Sequence, residues 1–136
     1  ETGASIQKFE IPHCTYTSPE VASIGPSDRQ LNHDGVQFDE YEIGFSEVDR
    51  ARVANQMDGF ARVLTRKGSD AILSATIVGK DAGEQIALNS LLMHNKLRMS
   101  KAGNAIFSYP TRSDFLLNLS DSFNKTRLTP GIFILL

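Results

Sequence analysis

The sequence predicts an α+β fold in which an antiparallel sheet is covered by helices. Two observations carry this reading. A β-hairpin signal lies in the middle of the chain, where 59–66 (GFARVLTR) and 71–79 (AILSATIVG) flank the short loop Lys67-Gly68-Ser69-Asp70. Two stretches with helical apolar spacing and cap signals follow it, so strands come first and helices later.

The elements follow in order. Residues 1–8 are small and polar and read as a flexible N-terminal segment. Residues 9–17 (FEIPHCTYT) read as a strand, with Pro12 favouring an edge or early position. Ser18-Pro19-Glu20 reads as a turn or a short helical start, and Gly25-Pro26 breaks the chain. Ser27 is placed to cap a short helix over 28–34 that Gly35 stops. Residues 36–44 alternate roughly, as a strand does, while the charged stretch 46–56 fits a helical turn or a loop. In the second hairpin arm Leu73, Ala75 and Ile77 alternate against Ile72, Ser74, Thr76 and Val78.

The first long helix is expected over 82–98, with Asp81 and Glu84 at capping-box spacing. Its stripe is Ile86, Ala87, Ser90, Leu91, Met93, His94 and Leu97, and Leu88 and Leu92 widen it beyond one face. A second apolar face implies a second partner, either a helix or another subunit. The second helix is expected over 111–124, with Thr111 and Asp114 repeating the capping-box spacing and Phe115, Leu116, Leu119 and Phe123 as its stripe.

Composition bounds the function. The 136 residues fit one domain, and 40% hydrophobic with 22% charged residues is ordinary for a packed chain. With 14 Lys and Arg against 16 Asp and Glu, the net charge of −2 argues against nucleic acid as a partner. No apolar run approaches the roughly 20 residues of a membrane helix, so no membrane partner is expected. Cys14 stands alone, which excludes an intrachain disulfide and a cysteine-based zinc cluster. A reduced, cytoplasmic location is the expectation. The chain opens Glu1-Thr2-Gly3 with no methionine or signal segment, and so reads as a piece of something longer.

A search for chemistry finds little. Neither Gly-rich phosphate-binding pattern is present. His13, His33 and His94 show no metal-ligand spacing, and no metal site is expected. His13 and Cys14 are adjacent, but neighbours on a strand point to opposite faces, so they read as no catalytic pair. Cys14 reads as a small buried hydrophobe. Lys96, Arg98 and Lys101 read as cations at a helix C-terminus. Asn118-Leu119-Ser120 and Asn124-Lys125-Thr126 match the glycosylation pattern, which is common by chance.

Four segments in order resemble a known family. Residues 16–25 (YTSPEVASIG) are similar to the Phe-Thr-x-Pro-Glu-Val-Ala-Ser-Val-Gly signature of the pyridine nucleotide-disulfide oxidoreductase dimerisation domain. Residues 58–60 (DGF) and 73–79 (LSATIVG) resemble its hairpin, 82–86 (AGEQI) its next helix start, and 109–114 (YPTRSD) its His-Pro-Thr-x-x-Glu motif. The resemblance assigns 9–124 to that domain and 125–136 to a C-terminal tail.

The resemblance implies a C-terminal domain of an FAD-dependent NAD(P)H oxidoreductase, of the glutathione reductase, lipoamide dehydrogenase and mercuric reductase kind. In that family FAD and NAD(P)H domains precede this one, which forms most of the homodimer interface. The redox disulfide and the nucleotide-binding fingerprints belong to those domains. This chain alone is therefore expected to bind neither cofactor and to catalyse no redox reaction. The family's histidine and glutamate fall on Tyr109 and Asp114, the implied catalytic residues, and Ser108, Tyr109 and Pro110 on the backbone that contacts the partner's FAD. Phenol ionises near 10 and is a poor base at neutral pH, whereas imidazole near 6.5 is well matched. Mercuric reductases also place Tyr there, and 124–130 (NKTRLTP) resembles that branch, but 131–136 (GIFILL) lacks its vicinal cysteine pair.

Plain structural roles compete with these assignments. Tyr109 also reads as a packed aromatic before Pro110, and Asp114 as a capping acid. Glu20 and Glu84 also match family positions but have turn and cap explanations, and Arg50-Ala51, where many members have an Arg-Ala pair, has an ion-pair or interface explanation. A stand-alone interaction module of the same fold, with no redox activity, is the alternative reading of the whole.

Overall fold

The structure is a computed structural model that describes residues 10–128. The expected loose segment 1–8 and residues 129–136 of the tail lie outside the described residues.

The described chain runs β1 (His13–Thr15), β2 (Glu20–Ile24), α1 (Asp28–His33), β3 (Phe38–Gly44), α2 (Asp49–Val53), β4 (Phe60–Arg66), β5 (Ile72–Gly79), α3 (Ala82–His94), α4 (Met99–Gly103) and α5 (Phe115–Thr126). Short 3-10 turns sit at Phe45–Glu47 and Arg112–Asp114. The strands form one antiparallel sheet in the order β1-β2-β5-β4-β3. Helix α3 packs over β2 and β5, while α5 packs over β3 and against α4. One core cluster joins Ala22, Ile24, Val63, Ala75 and Ile77 of the sheet to Ile86, Met99, Phe115, Leu116 and Leu119 of the helices. The α+β expectation therefore stands, with helices covering one face of the sheet.

Several elements differ from expectation, each for a physical reason. The first strand covers 13–15 rather than 9–17, and a separate strand, β2, begins at Glu20 where a turn or helical start was expected. Val21 and Ala22 pair with Val78 and Ile77, so this short segment is a strand because β5 supplies its ladder. In the hairpin, the register shifts between Leu64 and Thr65, which face Ser74 and Ile72. Leu73 is the extra residue of that bulge, and Ile72, not Leu73, packs against the core.

The helix expected over 82–98 ends early, at His94, and a separate helix, α4, follows beyond the expected range at Met99–Gly103. Asp81 takes φ 60° and makes no cap bond, so the Asp81–Glu84 capping box does not form. Glu20 on β2 does that work, accepting a hydrogen bond from the Gly83 amide at 3.0 Å. Lys96 then enters the left-handed region at φ 55°. The Leu97 amide donates to Leu92 O at 2.8 Å and the Lys96 amide to Met93 O at 3.0 Å, a Schellman ending. Helix α4 starts two residues later, held by Asp70, whose carbonyl accepts from the Met99 amide and whose carboxylate accepts from the Ser100 amide. Burial pushes the Asp70 carboxyl up, but its bonds from Ser100 and Arg98 outweigh that and hold it below the usual range.

The buried face of α3 is Ala82, Gln85, Ile86, Asn89 and Leu92. Ala87, Leu91 and His94, expected on the core stripe, lie on the exposed side, with Leu91 59% exposed. On α5 the expected Phe115, Leu116, Leu119 and Phe123 are all buried.

Candidate functional site

The segment 109–114 leaves α4 and enters α5. The Thr111–Asp114 capping box forms: the Asp114 carboxylate accepts from the Thr111 amide at 3.1 Å and from its hydroxyl at 3.2 Å. Asp114 is 8% exposed, and these local bonds occupy both its oxygens.

Tyr109 is not packed. It is 74% exposed, and its hydroxyl donates to Asp49 Oδ2 at 2.6 Å. Asp49 opens α2, one turn from Arg52, whose guanidinium lies 3.8 Å from the other oxygen. The bond to Asp49 and its charge raise the Tyr109 phenol above its ordinary value near 10, and burial and the Asp114 charge push the same way. Ser108, Tyr109 and Pro110 are all exposed, and none of their backbone groups enters a backbone hydrogen bond among the described residues. Asp49, Arg52, Val53, Met57, Tyr109 and Pro110 line an open groove of about 590 Å³.

Arg112 anchors the segment from behind. Its side chain is 13% exposed, with Nε 3.5 Å from Asp81 and Nη2 donating to Gln56. Gln56 also lines a second cleft, of about 510 Å³, with Ser18, Pro19, Glu20, Asn55 and Lys80. Gly59 closes the 54–59 loop onto β5: its φ is 114°, and a Cβ there would stand 1.9 Å from Val78 O.

The remaining candidates separate. His13 is exposed and Cys14 half-buried on β1, and Cys14 packs against the core as a small hydrophobe. Among the described residues no three His, Cys, Asp or Glu side chains group to hold a metal, and no helix is long and apolar enough to cross a membrane. Asp49, Gln56 and Arg112 are the contributors that sequence reasoning missed. Tyr109 and Asp49 are 60 residues apart and Arg112 and Gln56 are 56 apart, so no local pattern marks them.

This architecture defines an α+β domain that presents an exposed tyrosine beside an open groove. Comparison with known proteins gives the family. The chain matches the pyridine nucleotide-disulphide oxidoreductase dimerisation domain over residues 11–119, and it belongs to that family. It is 33% identical over 117 residues to the mitochondrial dihydrolipoyl dehydrogenase of Rattus norvegicus, covering 85% of this chain and 23% of that protein. It is 27% identical over 122 residues to the mercuric reductase of Shigella flexneri, covering 90% of this chain and 22% of that protein. The chain thus spans less than a quarter of these relatives.

Among solved structures, the Cu(II) complex of the HOCl-induced flavoprotein disulfide reductase RclA from Escherichia coli superposes with a TM-score of 0.81. Identity is 22%, with 90% of this chain and 28% of that chain covered. The NAD-dependent persulfide reductase from A. fulgidus gives a TM-score of 0.72 at 16% identity, over 88% of this chain and 23% of that one. At these identities the superpositions speak for the fold.

Proposed function

We propose that this chain is the C-terminal dimerisation domain of an FAD-dependent NAD(P)H disulfide oxidoreductase of the mercuric-reductase-like branch. Its job is to form the homodimer interface and to complete the partner subunit's flavin and redox site. The observation that carries this reading is the exposed 108–110 segment. It leaves its backbone groups available and sets Tyr109 at the groove, at the position of the family's histidine. Ser108, Tyr109 and Pro110 are exposed and are the residues that would face the partner's flavin. The flavin, when bound to the parent, supplies electron transfer between the nicotinamide and the redox disulfide. This chain contributes a neutral phenol and a shaped wall.

The outer side of α3 supports the dimer reading. Ala87, Leu91 and His94 are exposed on one line of the helix, and an exposed leucine on such a line suits an isologous contact.

The test uses the intact gene product. Flavin absorption near 370 and 450 nm, with a dimer by sedimentation, supports the proposal. A colourless monomer of about 15 kDa overturns it in favour of an interaction module without redox activity.

A further inference from the structure

We propose that Asp49 is the positioning residue for Tyr109, in the place that the family pattern gives to Asp114. This rests on the reading of Tyr109 as a residue offered to the partner's redox site.

Three observations carry it. First, Asp114 is already engaged: both oxygens accept from Thr111, and the group is nearly buried. No hydrogen bond joins it to Tyr109 among the described residues. Second, Asp49 divides its oxygens between two partners, Oδ2 to the Tyr109 hydroxyl at 2.6 Å and Oδ1 toward Arg52 at 3.8 Å. Third, the two partners differ in rigidity. Asp49 sits between Val48 and Ala51, 1% and 0% exposed in the core, and the Ala51 and Arg52 amides both bond to Val48 O. Tyr109 sits on a segment without backbone hydrogen bonds. A short bond to a carboxylate on a fixed element selects one orientation for a ring that would otherwise sample several rotamers.

The bond also fixes the polarity of the phenol. With its O–H donated in a hydrogen bond to Asp49 Oδ2, the hydroxyl offers only lone pairs across the groove. Tyr109 is then an acceptor, suited to a group that donates, such as a thiol, an ammonium or a bound water. Ionising it would put a phenolate against Asp49, so the phenol stays neutral in the physiological range. The charged groups around it are Asp49 and Arg52 on α2 and Asp114 on the following turn; Arg112 of that turn is committed to Gln56 and Asp81.

The experiment is a pH titration of the intact full-length protein labelled with ¹³C at tyrosine Cζ. The Tyr109 resonance is the one missing from Tyr109→Phe. Asp49→Asn should lower the Tyr109 midpoint, and Asp49→Ala should do the same, while Asp114→Asn should lower it less. Where the parent turns over, Asp49→Asn should reduce kcat roughly three- to tenfold, the worth of one hydrogen bond, with KM little changed. A larger midpoint shift in Asp114→Asn, or none in either Asp49 variant, overturns the assignment. A protein without flavin in which the Asp49 variants still lower the midpoint keeps the pair and overturns only the redox reading.

Discussion

Gly59→Ala tests the packing logic beneath the groove. At φ 114° an alanine is strained by about 1–3 kcal/mol. Its Cβ would also lie 1.9 Å from Val78 O and 2.8 Å from Val78 C, backbone atoms that no rotamer change can move. A carbon and a carbonyl oxygen need roughly 3.3 Å, so the loop must shift by more than an ångström. That displacement pulls on the Phe60–Val78 pair and on the bond from the Phe45 amide to Gly59 O at 3.0 Å. Losing one or two such bonds adds about 1–2 kcal/mol, for a total cost of about 2–5 kcal/mol. Gly68→Ala is the control. Its φ is also positive, at 71°, but a Cβ there meets nothing within 4 Å, so only the backbone term of about 1–2 kcal/mol applies. Urea unfolding followed by far-ultraviolet circular dichroism measures both, and the two variants should differ by at least about 1 kcal/mol. Equal destabilisation would refute the argument that backbone contact, rather than φ alone, demands glycine at position 59.

Other outcomes follow from the same contacts. Asp114→Ala removes both bonds to Thr111 and should cost about 1–2 kcal/mol in urea unfolding. An unchanged midpoint would deny Asp114 its capping role. Asp70 is held below its unfolded value by Ser100 and Arg98. Its contribution is therefore fully present above the unfolded value of about 4 and is lost as pH falls through the folded value. Asp70→Asn should flatten that acid limb, and an unaltered limb in acid titration would count against it. On the proposed flavoenzyme reading, Tyr109→Phe in the intact gene product should leave flavin content unchanged and lower turnover; equal kcat would show that the hydroxyl takes no part. On the proposed dimer, Leu91→Glu should weaken self-association in sedimentation while leaving the far-ultraviolet circular dichroism spectrum unchanged, because the side chain is 59% exposed in one subunit.

Most features that rest on neighbours along the chain are legible in the residues alone. Alternation and a Gly-containing loop mark the β4–β5 hairpin, Ser27 caps α1 through the Gln30 amide, and Thr111 with Asp114 caps the 3-10 turn that leads into α5, which begins at Phe115 rather than at the expected 111. These signals act within three or four residues, where backbone geometry alone sets which groups meet. The ordered motifs likewise named the family before any contact was known.

Contacts between distant segments set the other features. Glu20 completes the α3 start from 63 residues away, and Asp70 caps α4 from 30. The spacing of Asp81 and Glu84 therefore misled, because a better acceptor arrived from another strand. Asp114 kept its local cap, and that left Tyr109 to find Asp49 across the groove. Hydrogen bonds are short and directional, so their partners are settled by which surfaces pack together, and that packing depends on the whole chain at once.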